Sequence, residues 1–196
     1  MPKKIIIVRH GETDHNAQRI LQGHLDVPLN EKGTKQAHDT AALLRSEAID
    51  VFYSSDLIRA LETARIAAAH HRKVVFSTPL LRERYFGAFQ GKSFDHIASV
   101  YGTFRLAHSY SFPPEAKTTH QVELDNEMQQ RAEVFMQGVK ERHKGQTVAV
   151  FSHGGMIRHL LRSCGISDTF LSTTPIKNAE PIVLVKQGDT YGIIET

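Results

Sequence analysis

The chain of 196 residues has a single cysteine, Cys164, so no disulfide can form within it, and a reducing compartment such as the cytoplasm is the expectation. It has no long apolar run. Two lysines precede a strand-length stretch near the amino terminus, too short and wrongly flanked for a signal peptide or a membrane span. No basic stretch is interleaved with aromatics, so the net charge of +3 and pI near 9.0 read as mild attraction for anions, not as a nucleic-acid surface. Metal-ligand patterns are missing too. Twelve histidines occur without a His-Glu-x-x-His or a cysteine pair, and neither a metal nor another cofactor is expected. Repeats, low-complexity tracts and linkers are absent, which leaves one domain over 1–196, large enough to build a core without staples. Nothing in the pattern decides between a monomer and a homodimer.

What is present begins with Ile5-Ile6-Ile7-Val8, apolar without alternation, the mark of a strand covered on both faces in the middle of a parallel sheet. It stops at Arg9-His10-Gly11-Glu12. In open α/β sheets ligands sit beyond the carboxyl ends of strands, so an arginine and an imidazole at that edge mark a site. Thr147-Val148-Ala149-Val150-Phe151 repeats the device and ends in Ser152-His153-Gly154-Gly155, followed by a helical pattern. If the two strands are neighbours, two imidazoles meet beside a helix amino terminus that attracts an anion.

Between these runs Asn30 is placed to cap a helix carrying Ala37, Ala41 and Leu44 on one face. A short strand at 50–53 precedes a helix with a small-residue stripe, Ala60, Ala64 and Ala67, for which either Ser55 or Asp56 is the expected cap. Arg59 then falls in its first turn, where a cation opposes the helix dipole unless an anion binds between them. A third strand is expected at 74–77. Glu83 follows among Leu80, Leu81, Tyr85 and Phe86, an apolar setting that favours the protonated form of a carboxyl. From about 91 to 120 the pattern loosens, with 93–101 weakly helical and 109–114 a loop, and this stretch reads as an insertion covering the site. Lys92, Arg105, His108 and Lys117 are its candidates for substrate contact. A long helix over 121–143 follows, then the helix after His153, then a closing hairpin about Gln187-Gly188-Asp189 at an edge of the sheet.

Arg9-His10-Gly11-Glu12 with Asn16, Gln22-Gly23, Asp26, Pro28-Leu29 and Gly33, then 54–64, then Leu81-Arg82-Glu83-Arg84-Tyr85-Phe86-Gly87, then Ser152-His153-Gly154-Gly155, together resemble the ordered motifs of the histidine phosphatase superfamily, the phosphoglycerate mutase-like family. The resemblance implies an α/β fold, a three-layer αβα sandwich with a mainly parallel central sheet. It implies a phosphatase acting on a small phosphorylated metabolite, with neither nucleic acid nor membrane as partner. His10 is the implied nucleophile, Arg9, Arg59 and a protonated His153 the phosphate-holding cations, and Glu83 the acid. Asn16, Gln22, Gly23, Arg84 and Gly154 are implied phosphate or substrate contacts, and Glu123 and Arg131 structural residues. Arg19 and His24 stay undecided. A mutase, a protein phosphohistidine phosphatase and a non-catalytic phosphate-binding relative are the alternatives. Gln90, where phosphatase relatives often carry an acidic residue, weakens the distinction from a mutase.

Overall fold

In β1 (Lys4–Arg9) the side chains alternate between two cores, which is why an unbroken apolar run was needed. Ile5 and Ile7 join one buried cluster, Ile6 and Val8 the other. The computed structural model describes residues 1–101 and 112–194. After β1 come α1 (Asp14–Ala17), α2 (Glu31–Leu44), β2 (Val51–Ser55), α3 (Ile58–Ala69) and β3 (Val75–Thr78). Single 3-10 turns at Pro79–Leu81 and Gly87–Phe89 lead to α4 (Phe94–Tyr101), α5 (Glu115–His120) and α6 (Asp125–Arg142). The chain finishes with β4 (Thr147–Ser152), α7 (Gly154–Ser163), α8 (Asp168–Thr173), β5 (Pro181–Gln187) and β6 (Thr190–Ile194).

The six strands form one sheet in the order β3-β2-β4-β1-β5-β6. β1 runs parallel to β4 but antiparallel to β5, so its expected place inside a parallel sheet holds on one flank only. The sheet is still mostly parallel, and helices cover both faces. On one face Met128, Ala132 and Phe135 of α6 and Ile157 and Leu160 of α7 bury against the strands. On the other, Ala41 and Leu44 of α2 pack with Ala64 and Ala67 of α3, small side chains that let the helix lie close. A third cluster, with Leu21, Phe86, Phe89, Ile97 and Phe112, lies between the loop after α1 and the segment from α4 to α5. Arg105, His108 and the first half of the loop expected at 109–114 fall outside the described residues.

Several boundaries differ from the sequence reading. The third strand starts at Val75, not at Val74, and is the sheet's outer edge. The long helix begins at Asp125, because Arg84 and Arg131 take up Glu123 and its carbonyl just before it. Asn30 caps α2 as expected, accepting from the Gly33 amide at 2.8 Å. Neither Ser55 nor Asp56 caps α3: the helix starts at Ile58, whose amide donates to Asp26 Oδ1 at 2.7 Å. Asp56 is occupied by Arg82, with contacts of 2.8 and 2.7 Å. The loop after β1 touches the start of α2 so closely that a Cβ on Gly11 or on Gly33 would meet the opposing backbone.

Replacing Asp26 by Ala should therefore lower stability by about 1 kcal/mol, the usual worth of a helix cap. Urea denaturation checks it, and an unchanged midpoint would remove Asp26 from that role.

Candidate active site

Strands β1 and β4 end side by side, with Arg9 opposite Ser152. The His10 amide extends the ladder by one bond, donating to the Ser152 carbonyl at 2.9 Å. The imidazoles of His10 and His153 consequently meet, with ring centroids 5.1 Å apart, and both are buried.

Their hydrogen bonds fix their states. His10 Nδ1 lies 2.6 Å from the Gly11 carbonyl, which can only accept, so Nδ1 carries the proton and Nε2 is a lone pair. Burial, then the charges of Arg59 and Arg9, pulls the pKa of His10 well below its ordinary 6.5, against the Gly11 bond. His153 Nε2 meets Ser55 Oγ at 2.8 Å, while its buried Nδ1 has no hydrogen-bond partner among the described residues. Burial, then Arg59, His10 and Arg9, holds its pKa well below 6.5 as well. The protonated His153 expected from sequence is thus not the state of the ligand-free site: an imidazolium there would be stripped of water beside two guanidiniums.

Arg59 enters from the first turn of α3 and is 1% exposed. Its two terminal nitrogens donate to the carbonyls of Leu25 and Gly23, both at 2.8 Å, and its Nε is buried without a partner among the described residues. Burial lowers its pKa to about 10, opposed by Glu83 and Asp26. Arg9 donates to the Ile176 carbonyl at 2.8 Å. A buried guanidinium and a buried imidazole, each with an orphan nitrogen, are unexplained by the protein alone and call for a ligand.

A cavity of about 270 Å³ opens at this point. Arg9, His10, Asn16, Gln22, Gly23, Arg59, Glu83, Arg84 and Gly154 line it, whereas His153 touches it only through its ring contact with His10. Asn16 is oriented by a capping box: its Oδ1 accepts from the Thr13 amide at 3.2 Å, which leaves its NH2 for the cavity. Gln22 is buried, with Oε1 unpartnered among the described residues. Arg84 is more constrained than a substrate contact was expected to be. It pairs with Asp125, donates to the Glu123 carbonyl at 2.6 Å, and lies over the Phe112 ring at 5.7 Å.

The apolar setting expected for Glu83 is not found. Leu81 points into the main core, Phe86 into the third cluster, and Tyr85 is exposed. The carboxylate instead accepts from the amides of Gly155 at 3.0 Å and Arg84 at 2.8 Å. A Cβ at Gly155 would meet the Glu83 carboxylate and push it from its present position. Arg131 clamps the loop, donating to the carbonyls of Leu80 at 2.9 Å and Arg82 at 3.1 Å while bound to Glu123, the structural role read for both residues. His24 adds a bond of 2.8 Å to the Glu83 carbonyl, and Arg19 is an exposed residue in a left-handed turn with φ 56°. Lys117 pairs with Glu127, and neither it nor Lys92 lines the cavity.

Sequence reasoning missed three supports. Ser55 meets His153, Asp26 caps the helix of Arg59, and Asn178 donates to the His10 carbonyl at 2.8 Å. Among the described residues no three His, Cys, Asp or Glu side chains gather as a metal site requires, and no helix is long and apolar enough to cross a membrane.

The model of the histidine phosphatase superfamily, branch 1, matches residues 5–195. The chain belongs to that family. It is 40% identical over 159 residues, covering 80% of this chain and 69% of the other, to phosphoglycerate mutase-like protein 4 of Arabidopsis thaliana. It is 35% identical over 169 residues to a broad-specificity phosphatase of Saccharomyces cerevisiae, covering 81% and 69% of the two chains. Among solved structures, a mycobacterial glucosyl-3-phosphoglycerate phosphatase complexed with VO3 superposes with a TM-score of 0.85 at 25% identity, covering 98% of this chain and 97% of that one. The chain is accordingly a phosphatase-type enzyme of the histidine phosphatase superfamily.

The depressed histidines make stability depend on pH. The unfolded chain protonates each near pH 6.5, whereas folded His10 and His153 resist, as do His24, His71 and His159 to lesser degrees. The unfolded state then binds more protons, so stability is intact above that pH and declines below it. The urea midpoint should drop between about pH 7.5 and 5.5, above the carboxylate range; a midpoint that rises would contradict these states.

Proposed function

We propose that the chain hydrolyses phosphate monoesters of a small metabolite through a phosphohistidine on His10, without a metal or another cofactor. The observation that carries this reading is the neutral, Nδ1-protonated ring of His10 in a cavity that also holds Arg9 and Arg59. The Nε2 lone pair forms a bond to phosphorus as the ester P–O bond breaks, and Glu83 supplies the proton that lets the alcohol leave neutral. Water then attacks the phosphohistidine, gives a proton to Glu83, and the N–P bond breaks to release inorganic phosphate. Arg9, Arg59, the Gly154 end of α7 and the NH2 of Asn16 surround the phosphoryl oxygens. A phosphate dianion adds negative charge beside His153, so this ring takes up its proton only with phosphate bound.

Magnitudes favour this division of labour. Phosphate monoester hydrolysis demands accelerations of up to ~10²¹, whereas one general acid contributes about 10² to 10⁴. Positioning and the positive pocket must supply most of the remainder. Phe94 of α4 bounds the cavity, which suits a small ester better than a protein side chain. A buried lone cysteine is compatible with a cytoplasmic address. The phosphoglycerate mutase-like relative keeps a mutase as second reading, which uses the same histidine but passes the phosphoryl group to a second hydroxyl.

His10→Ala should abolish turnover. Glu83→Gln should lower it by about 10² to 10⁴ on alkyl phosphates and less on aryl phosphates, whose leaving groups need no proton; equal losses on both would remove Glu83 as the acid. Acid-labile, base-stable label on the His10 peptide after quenching supports the intermediate, and label elsewhere refutes it. Phosphate release without a bisphosphate primer separates phosphatase from mutase.

A further inference from the structure

Beyond the reacting groups the cavity follows one face of α7. Gly154, Gly155, Arg158, His159 and Arg162 line it, in the spacing of residues stacked four apart on a helix. His159 lies one turn past Gly155, whose amide holds Glu83, and so roughly 6 Å farther along the axis. That step reaches the second or third carbon of a departing alcohol. The cations here are already engaged: Arg84 with Asp125, Arg162 with Asp168 at 2.6 Å, and Arg158 with the carbonyls of Leu171 and Thr174.

Among the described residues His159 is engaged on one nitrogen only. Its Nδ1 lies 3.1 Å from Gln129 Oε1. The Gln129 amide cannot be reversed, because its Nε2 donates to Glu133 Oε1 at 3.0 Å and to Ser163 Oγ at 3.1 Å, a hydroxyl whose own proton goes to the His159 carbonyl at 2.9 Å. An oxygen therefore faces the ring, and the ring proton sits on Nδ1. Nε2 is a bare lone pair on the side away from Gln129, on a residue 4% exposed that lines the cavity. Burial, with Arg84 and Arg162 nearby, holds the ring's pKa down to about 4, so it stays an acceptor at neutral pH.

We propose that His159 Nε2 is a specificity determinant that selects phosphate esters whose alcohol carries a hydrogen-bond donor, hydroxyl or ammonium, on its second or third carbon. The inference rests on the phosphatase reading of the cavity. Asp125, whose side chain is 41% exposed, lines the same end and adds a second acceptor. An ester without a donor displaces water from Nε2 and replaces it with nothing, which is the arrangement that discriminates most strongly against a missing group.

The test compares kcat/KM for glycerol 1-phosphate, O-phosphoethanolamine and n-propyl phosphate, with phenyl phosphate as a general ester. The native chain should prefer one or both donor-bearing esters over n-propyl phosphate by about tenfold, and the better of the two tells hydroxyl from ammonium. His159→Asn puts its amide nitrogen where Nδ1 was, so it can keep the Gln129 bond while no acceptor remains at the Nε2 position; the preference should fall several-fold, to what Asp125 alone supports. His159→Gln restores an oxygen near the Nε2 position and should recover part of it. A native chain without preference, or an Asn variant with its preference intact, overturns the role of His159 alone. Failure to release phosphate from any ester, phenyl phosphate included, overturns the phosphatase reading and this inference with it.

Discussion

The structure is governed by the cost of gathering cations where water cannot reach them. Arg59 is almost wholly buried, yet its terminal nitrogens are held by the carbonyls of Gly23 and Leu25 and, among the described residues, by no carboxylate. Carbonyls orient a guanidinium without cancelling its charge. The supporting arginines show the contrast: Arg82 is matched by Asp56, Arg84 by Asp125 and Arg131 by Glu123. Burial first, and then the same positive field, keeps His10 and His153 neutral. On the proposed reading a neutral imidazole is ready to act as the nucleophile, and a phosphate dianion relieves the field.

The fold delivers that arrangement through a few close approaches. Two strands of opposite sequence position pair in register, and each hands an imidazole to the same edge. The loop after β1 presses against the start of α2, which glycines at 11 and 33 permit. Asn178 and Thr63 then fix the backbone around His10, through the His10 carbonyl and the Gly11 amide. On the far side Arg131 and His24 pin the loop of Glu83, so its carboxylate is held by the Gly155 and Arg84 amides.

Much of this was legible because it depended on local pattern. Two unbroken apolar runs ending in His-Gly marked two buried strands whose imidazoles meet once the strands pair, and the pattern placed Arg59 in the first turn of its helix. What escaped the sequence joins residues far apart along the chain, such as Ser55 with His153 and Asn178 with His10, for which no spacing rule exists. The cap of α3 was misassigned because Asp26, in an earlier loop, reaches Ile58 before Ser55 or Asp56 can. Neighbours in sequence also misled: Leu81, Tyr85 and Phe86 flank Glu83 but turn in three different directions. The protonation state of His153 depends on burial beside Arg59 and Arg9, which composition cannot reveal.

The most direct measurement is the nitrogen NMR spectrum of 15N-histidine-labelled protein at pH 7, with and without inorganic phosphate. Two neutral rings should be seen in the ligand-free protein, His10 as the Nδ1-protonated tautomer, with His153 becoming doubly protonated when phosphate binds. An imidazolium at either position before phosphate is added, or a proton on Nε2 of His10, would contradict the account at its centre.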